Sequence, residues 1–322
     1  MAKIVTDRRF PAMNLMKLRV WLTKVRYLVF GKEADKGLLF RVFIYLLLID
    51  IAYIYLNPIF YMISTMVKNA ADLIDPSVSW VPHQVFTGTL QDAWAKLHYP
   101  KWFGISLTMA ITVSLLQTFS CAVAGYAFAR LEFPFKNFWF VCLLMTFVVP
   151  TQVIILPELI AASQLHLMKT YIPIILPAFF GHGLKGALFV IIYRQFFSTQ
   201  PKELEEAARI DGAGVFRVFL RVMLPLSRPA ILVVCLFSFV WTWNDYYTPS
   251  MFLLGAKDVP LSMGVSQINA ALAQQAAQTG PSIFDEPLKM AGSFLIIMPP
   301  LLLYLFAQRW FVESVERTGL VE

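Results

Sequence analysis

The residue types that carry covalent or metal chemistry are scarce in this sequence and poorly spaced for it. There are four histidines, His83, His98, His166 and His182, and three cysteines, Cys121, Cys142 and Cys235. No His, Cys or carboxylate cluster falls at metal-ligand spacing, and the cysteines all lie in apolar runs, so neither a metal nor a disulfide is expected. No Ser-His-Asp set can be assembled, so no catalytic residue is expected. Gly181 and Gly186 have the outer spacing of a phosphate-binding loop, but Ala187 stands where that loop needs its lysine. The chain therefore has no ATP site of this kind and no cofactor of its own, and any energy source must be another chain.

A second group is polar residues inside apolar stretches. These are Glu158, the pair His182 and Lys185 placed one helical turn apart, and Asn244, Asp245 and Tyr246. A charge at the bilayer centre costs about 3 kcal/mol or more, so such residues are site hypotheses by default. They would line a hydrated translocation path. Interhelical hydrogen bonds or snorkelling explain them too. Trp241, Trp243, Tyr246 and Tyr247 would stack on CH faces of a solute, but an aromatic belt at the membrane interface explains them equally well.

The third group lies in 198–229, STQPKELEEAARIDGAGVFRVFLRVMLPLSRP. Pro201 suits a first helical turn, where its missing N–H costs nothing. Glu203, Glu205 and Glu206 favour the positive end of the helix dipole. Ala207 and Ala208 leave one face small enough for another protein to approach. Gly212 and Gly214 permit a sharp change of backbone direction. A second amphipathic piece, 215–224, leads to Leu224 and Pro225. Force applied to a short helix between two membrane spans reaches both. An ordinary surface helix with acidic residues at its start is the plainer reading.

The elements that must position these groups follow from composition. The chain has 322 residues, is 58% hydrophobic and only 15% charged, and carries a net charge of +7. Its mean hydropathy is +0.64. A soluble chain of this size needs more polar surface. The apolar runs are continuous, and about 20 helical residues cross a bilayer core, so the class is all-α and polytopic. Six spans are expected, at about 40–66, 103–127, 137–161, 171–196, 225–254 and 288–310. Lys and Arg number twenty on the side holding both termini and the 198–229 segment, against six on the other. That asymmetry makes both termini cytoplasmic. It also accounts for the positive charge, so nucleic acid is not an expected partner. Residues 14–30 place Leu15, Leu18, Leu22, Val25 and Val29 at helical spacing among basic residues, the pattern of a helix lying on the membrane surface. No cleavable signal peptide is expected. The domain plan is a basic amphipathic extension over 1–38 and a transmembrane domain over 39–322, with a short interfacial helix at 201–215. Two polar loops, 67–101 and 255–287, face outward. The second contains SQINAALAQQAAQ, a candidate short helix.

The string Glu206-Ala207-Ala208, Asp211-Gly212-Ala213 and Leu224-Pro225 resembles the signature loop of binding-protein-dependent ABC importer permeases. PTQVIILPELIAASQLHLMKTYIPIILP (150–177), WTWNDYYTP (241–249) and AQRWFV (307–312) are similar to the carbohydrate, maltose-type branch, and to its second, smaller permease. The similarity covers roughly 40–322. It implies a type I importer permease fold and a bacterial inner-membrane location. It also implies a second homologous permease, two ATPase subunits, an external solute-binding protein and a carbohydrate substrate. In such a complex the 201–215 helix sits in an ATPase cleft, with Glu203, Glu206, Ala207, Ala208, Asp211, Gly212, Ala213, Leu224 and Pro225 as coupling residues. The 255–287 loop reaches the binding protein. The sequence departs from that pattern in its longer N-terminus, in the ending VERTGLVE and in Glu158. Three alternatives remain at this point. A permease for a non-sugar solute shares the signature loop. An ion-coupled secondary transporter predicts inverted repeats, and none is visible. A membrane enzyme needs paired carboxylates or a metal motif at one face, and none is present.

Overall fold

A computed structural model describes residues 37–183 and 185–319, with side chains described as far as Arg309. The expected surface helix over 14–30 and the end of the VERTGLVE tail lie outside these residues. The described residues contain helices, turns and loops and no strand. The chain divides at Met62 into two compact units.

The first unit contains most of α1 (Leu38–Met66), an apolar helix of 29 residues with Asp50 near its middle and Pro58 inside it. At 1.5 Å per residue it is about 43 Å long, enough to cross a bilayer.

The second unit begins with a loop carrying α2 (Ala70–Ile74) and α3 (Gly88–Lys96). Buried polar groups fix this loop. The Lys68 ammonium donates to the carbonyls of Val78 at 2.8 Å and Ser79 at 3.0 Å. Buried Asp72 accepts from the His83 amide at 3.1 Å and lies 2.8 Å from His83 Nδ1. Then comes α4 (Tyr99–Arg130), 32 residues with Pro100 in its first turn. It is the central helix of the unit. The helices packed most extensively on it are α8 and α11, introduced below. Gly125 makes one of these approaches possible, because a Cβ there would collide with Tyr193.

The next two helices are α5 (Lys136–Val148) and α6 (Thr151–Gln164), bent by 98° where Pro150 interrupts them. After them come α7 (Ile172–Phe179) and α8 (Gly186–Thr199). The expected continuous span 171–196 is therefore two helices. Pro177 and the left-handed residues Gly181, Gly183 and Lys185 break it. The short α9 (Glu203–Ile210) follows, then α10 (Val215–Leu226), which contains a π turn over Phe219–Met223. Pro225 lacks the N–H that an α-helical turn would direct at Arg221. α10 meets α11 (Arg228–Asn244) at 79°. The expected span 225–254 is thus an α11 of 17 residues and a separate α12 (Tyr247–Phe252). The stretch read as a candidate short helix in 255–287 is α13 (Gly264–Thr279). The last helix is α14 (Asp285–Gly319).

By length and hydropathy, three continuous helices among the described residues can cross a membrane, and two bent pairs can be added if each is one span. Of the six expected spans, helix breaks interrupt the third, fourth and fifth. Runs of apolar residues report depth in the membrane, whereas proline and left-handed glycine decide continuity.

Two clusters hold the second unit together. One gathers Trp102, Trp243, Leu261, Ile268 and Leu295 near the start of α4. The other gathers Tyr126, Phe189, Tyr193, Phe197, Phe219 and Val234 near its end. The second cluster underlies α9.

Candidate functional site

The short helix α9 is built to stand on one face and present the other. Lys202 is its N-cap residue, so Pro201 precedes the first turn instead of occupying it. Its end is a Schellman motif. The amide of Ala213 donates to Ala208 O at 3.0 Å, and that of Gly212 to Arg209 O at 3.0 Å. This closure needs a left-handed residue just past the cap. Gly212 supplies it with φ +76°, and its surroundings leave open space. Gly214 is not left-handed.

The inward face of α9 carries Glu205, which is 6% exposed. Its carboxylate lies 3.1 Å from Arg130 Nε, at the last residue of α4, and 3.7 Å from Arg209 Nη2. The Tyr126 hydroxyl donates to it at 3.3 Å. The Arg130 guanidinium also donates to the carbonyl of Gln200, the C-cap residue of α8. Ala208 and Ala213 pack on the aromatic cluster beneath. The outward face carries Glu203, Glu206, Ala207, Asp211 and Gly212, all exposed. Among them and just beyond stand apolar residues left exposed among the described residues: Leu204, Ile210 at 85% exposure, Val215 and Phe216. Leu224 is half-buried and Pro225 exposed. Of the nine residues read from the sequence as a coupling set, Glu203, Glu206 and Ala207 fall on the outward surface of the helix, whereas Ala208 turns toward the cluster beneath it, as does Ala213 just past the end. Glu205 was read only as a first-turn acid, and nothing in local spacing marks it as buried. Arg130, read only for its charge, was the available signal.

A second site opens among α4, the α5–α6 bend, the α7–α8 break and the end of α11. It is a cavity of about 420 Å³ whose lining includes Gln117, Glu158, His182, Lys185, Thr242 and Asp245. His182 and Lys185 are not one turn apart on a helix, as expected. They stand in the break between α7 and α8, and Lys185 is left-handed with φ 62°. His182 Nε2 lies 3.9 Å from Glu158 Oε1. Asn244 and Tyr246 are not among the lining residues. Both are exposed, and the Asn244 amide donates back to Val240 O at 2.9 Å. Asp245 is the C-cap residue of α11 and accepts from the Thr248 amide at 3.1 Å.

The break exposes carbonyls that an unbroken helix would satisfy, and irregular backbone at membrane depth needs cover from protein or cavity. α4 supplies that cover. The Ser120 hydroxyl lies 2.7 Å from Ala178 O. The Cys121 thiol reaches Gly181 O and Gly186 O at 3.7 and 3.6 Å. The buried Gln117 amide reaches His182 O at 3.5 Å and accepts from Ser238 at 2.7 Å. Gln117, absent from the sequence-based candidates, is the polar centre of this wall. Among the described residues, no group of His, Cys, Asp and Glu is arranged to hold a metal ion.

Residues 121–317 match the family described as binding-protein-dependent transport system inner membrane component. The chain is 31% identical over 252 residues to the sn-glycerol-3-phosphate transport system permease protein UgpE of Pectobacterium atrosepticum, covering 76% of this chain and 84% of that one. It is 28% identical over 255 residues to the arabinooligosaccharides transport system permease protein AraQ of Halalkalibacterium halodurans, covering 79% and 84%. It is also 28% identical over 279 residues to the osmoprotective compounds uptake permease protein GgtD of Synechocystis, covering 84% and 89%. Its fold is similar to a chain of a bacterial ABC transporter involved in import of the acidic polysaccharide alginate. The TM-score there is 0.68 at 20% identity, over 87% of this chain and 98% of that one.

Proposed function

Because the chain belongs to the family of binding-protein-dependent transport inner membrane components, transport proteins that are not themselves catalytic, we propose that it is a permease subunit of an ATP-driven importer for a carbohydrate, coupled to its ATPases through α9. The observation that carries this reading is the two-sided character of α9. Its inward face is fastened by the buried Glu205, while its outward face exposes Leu204 and Ile210 beside Glu203 and Glu206, with Phe216 exposed at the start of α10. An apolar patch rimmed by acids suits a protein cleft carrying basic and apolar groups. Two ATPase subunits supply the hydrolysis. A second homologous permease completes the pathway, and an external binding protein delivers the solute. The Lys and Arg asymmetry of the sequence sets α9 and both termini on the cytoplasmic side of the bacterial inner membrane.

The cavity beside the α7–α8 break is the segment of the translocation path that this chain contributes. Its charged and amide groups, Glu158, His182, Lys185, Asp245 and Gln117, form a hydrated wall that offers a polyhydroxylated solute both donors and acceptors. The relatives named for arabinooligosaccharides and alginate support a carbohydrate substrate.

Uptake in cells lacking this chain tests the substrate class. Loss of uptake of one sugar or oligosaccharide is expected. Loss of uptake of a phosphorylated polyol or another non-sugar solute, with every sugar unaffected, would replace the substrate and leave the permease assignment standing.

A further inference from the structure

We propose that Glu205 and Arg130 form the joint through which a displacement of α9 is handed to α4, and so to the wall of the cavity. The proposal rests on the reading of α9 as the coupling helix and adds a positioning pair to it. α9 is tied to α8 and α10 by the chain itself, but its tie to α4 is made by side chains. The Arg130 guanidinium belongs to the last residue of α4, meets Glu205 at 3.1 Å and also holds the Gln200 carbonyl at the end of α8. One group therefore fastens three elements at a point. The side chains of both partners are nearly withdrawn from solvent, at 6% and 7% exposure. Tyr126, one turn earlier on α4, donates to the same carboxylate and meets the Phe197 ring edge-on and the Phe219 ring at a tilt. From Arg130, α4 runs 13 residues, about 20 Å at 1.5 Å per residue, to Gln117 in the cavity wall.

A buried ion pair is a weak source of stability, because apolar residues of equal volume often do as well. What such a pair provides is direction. Its charge geometry adds a preference for one register of the two helices to that set by the packing around it. The joint is thus a physical connection between two sites: a buried ion contact of Arg130 Nε with Glu205 Oε1 that is not a hydrogen bond, flanked by the hydrogen bonds of Tyr126 and of Gln200 O, the kind of connection that a coupling measurement can test.

The test uses the whole complex in proteoliposomes: both permeases, the ATPases and the binding protein. Three quantities are read for each variant: the ATPase retained by the purified complex, ATP hydrolysis stimulated by loaded binding protein, and solute taken up per ATP. Glu205→Gln keeps the shape and leaves the outward face of α9 untouched. It is expected to retain the ATPase while uptake per ATP falls at least fivefold. Arg130→Glu alone should do the same or worse, and the exchanged pair Arg130→Glu with Glu205→Arg should recover part of the loss. Tyr126→Phe, which removes one hydroxyl, should lower uptake per ATP in the same direction by a smaller factor, and it carries the test if the charge variants do not reach the membrane. Unaltered uptake per ATP in Glu205→Gln, or in Tyr126→Phe where only that variant is recovered, overturns the proposal. A complex whose ATPase does not touch α9 at all overturns the parent reading instead. Contact at α9 with normal coupling in these variants removes only the joint.

Discussion

Truncating Ile210 separates docking from folding. Its side chain is 85% exposed in this chain, just before the Schellman turn that ends α9. Fully burying such a side chain contributes about 1.5–3 kcal/mol, and each buried methylene about 0.8 kcal/mol. Ile210→Ala removes three carbons, so docking should lose roughly 2 kcal/mol if the ATPase covers the residue. At 1.4 kcal/mol per factor of ten, the affinity of the permease for its ATPase should fall roughly 20–30-fold. The fold has almost nothing to lose, because exposed substitutions without special geometry stay within about 0.5 kcal/mol, and alanine is a better helix former than isoleucine. The assay pairs two measurements on detergent-solubilised permease: equilibrium binding of the ATPase subunit and thermal unfolding. Weaker binding with an unchanged unfolding midpoint is expected. Unchanged binding at an unchanged midpoint would refute the reasoning, since the exposed patch would then be facing solvent in the complex.

Other consequences follow from the same geometry. Gly212→Val places a β-branched side chain at φ +76°, which costs about 1–2 kcal/mol. The expected result is faster proteolysis at the α9–α10 turn and reduced ATPase retention, whereas Gln275→Ala on the exposed part of α13 should leave retention intact. Lys185→Ala and Asp245→Asn alter the cavity wall and not the docking face. Uptake kinetics in proteoliposomes should show a raised apparent KM or lowered rate, with ATPase retention unaltered. A reporter active only outside the cytoplasmic membrane, fused after Glu322, should give no signal, and a strong signal would reverse the orientation.

The all-helical class and the position of α9 were legible because continuous apolar runs and a Pro, Glu, Gly punctuation depend on near neighbours alone. The break in the fourth apolar run was harder to read. Ile172, Pro173, Pro177 and Gly181 sit in a stretch apolar enough to pass as one span, and what stabilises the break lies on another helix, at Gln117, Ser120 and Cys121. Placing His182 and Lys185 on a helix followed from that error. Glu205 was hidden for a similar reason. Three acids in one helical turn look alike until Arg130, 75 positions earlier, selects the one that turns inward. Glu158, the neighbours His182 and Lys185, and Asp245 come from three separate stretches of sequence and share a cavity because α5 bends from α6 and α7 breaks from α8. Asn244 and Tyr246, neighbours of Asp245, fall outside its lining because the chain leaves helical geometry at Asp245. Asp50, midway along α1, was passed over among the intramembrane charges.

The central claim is that the outward face of α9 is the surface on which the ATPase acts. Site-specific photocrosslinking in the assembled complex tests it directly. A photoreactive amino acid at position 206 should join this chain to the ATPase subunit in high yield, with a yield that changes on ATP binding. The same group at position 275 should give no such product. A complex that transports at the normal rate, holds its ATPase and yields no cross-link from position 206 would contradict the claim.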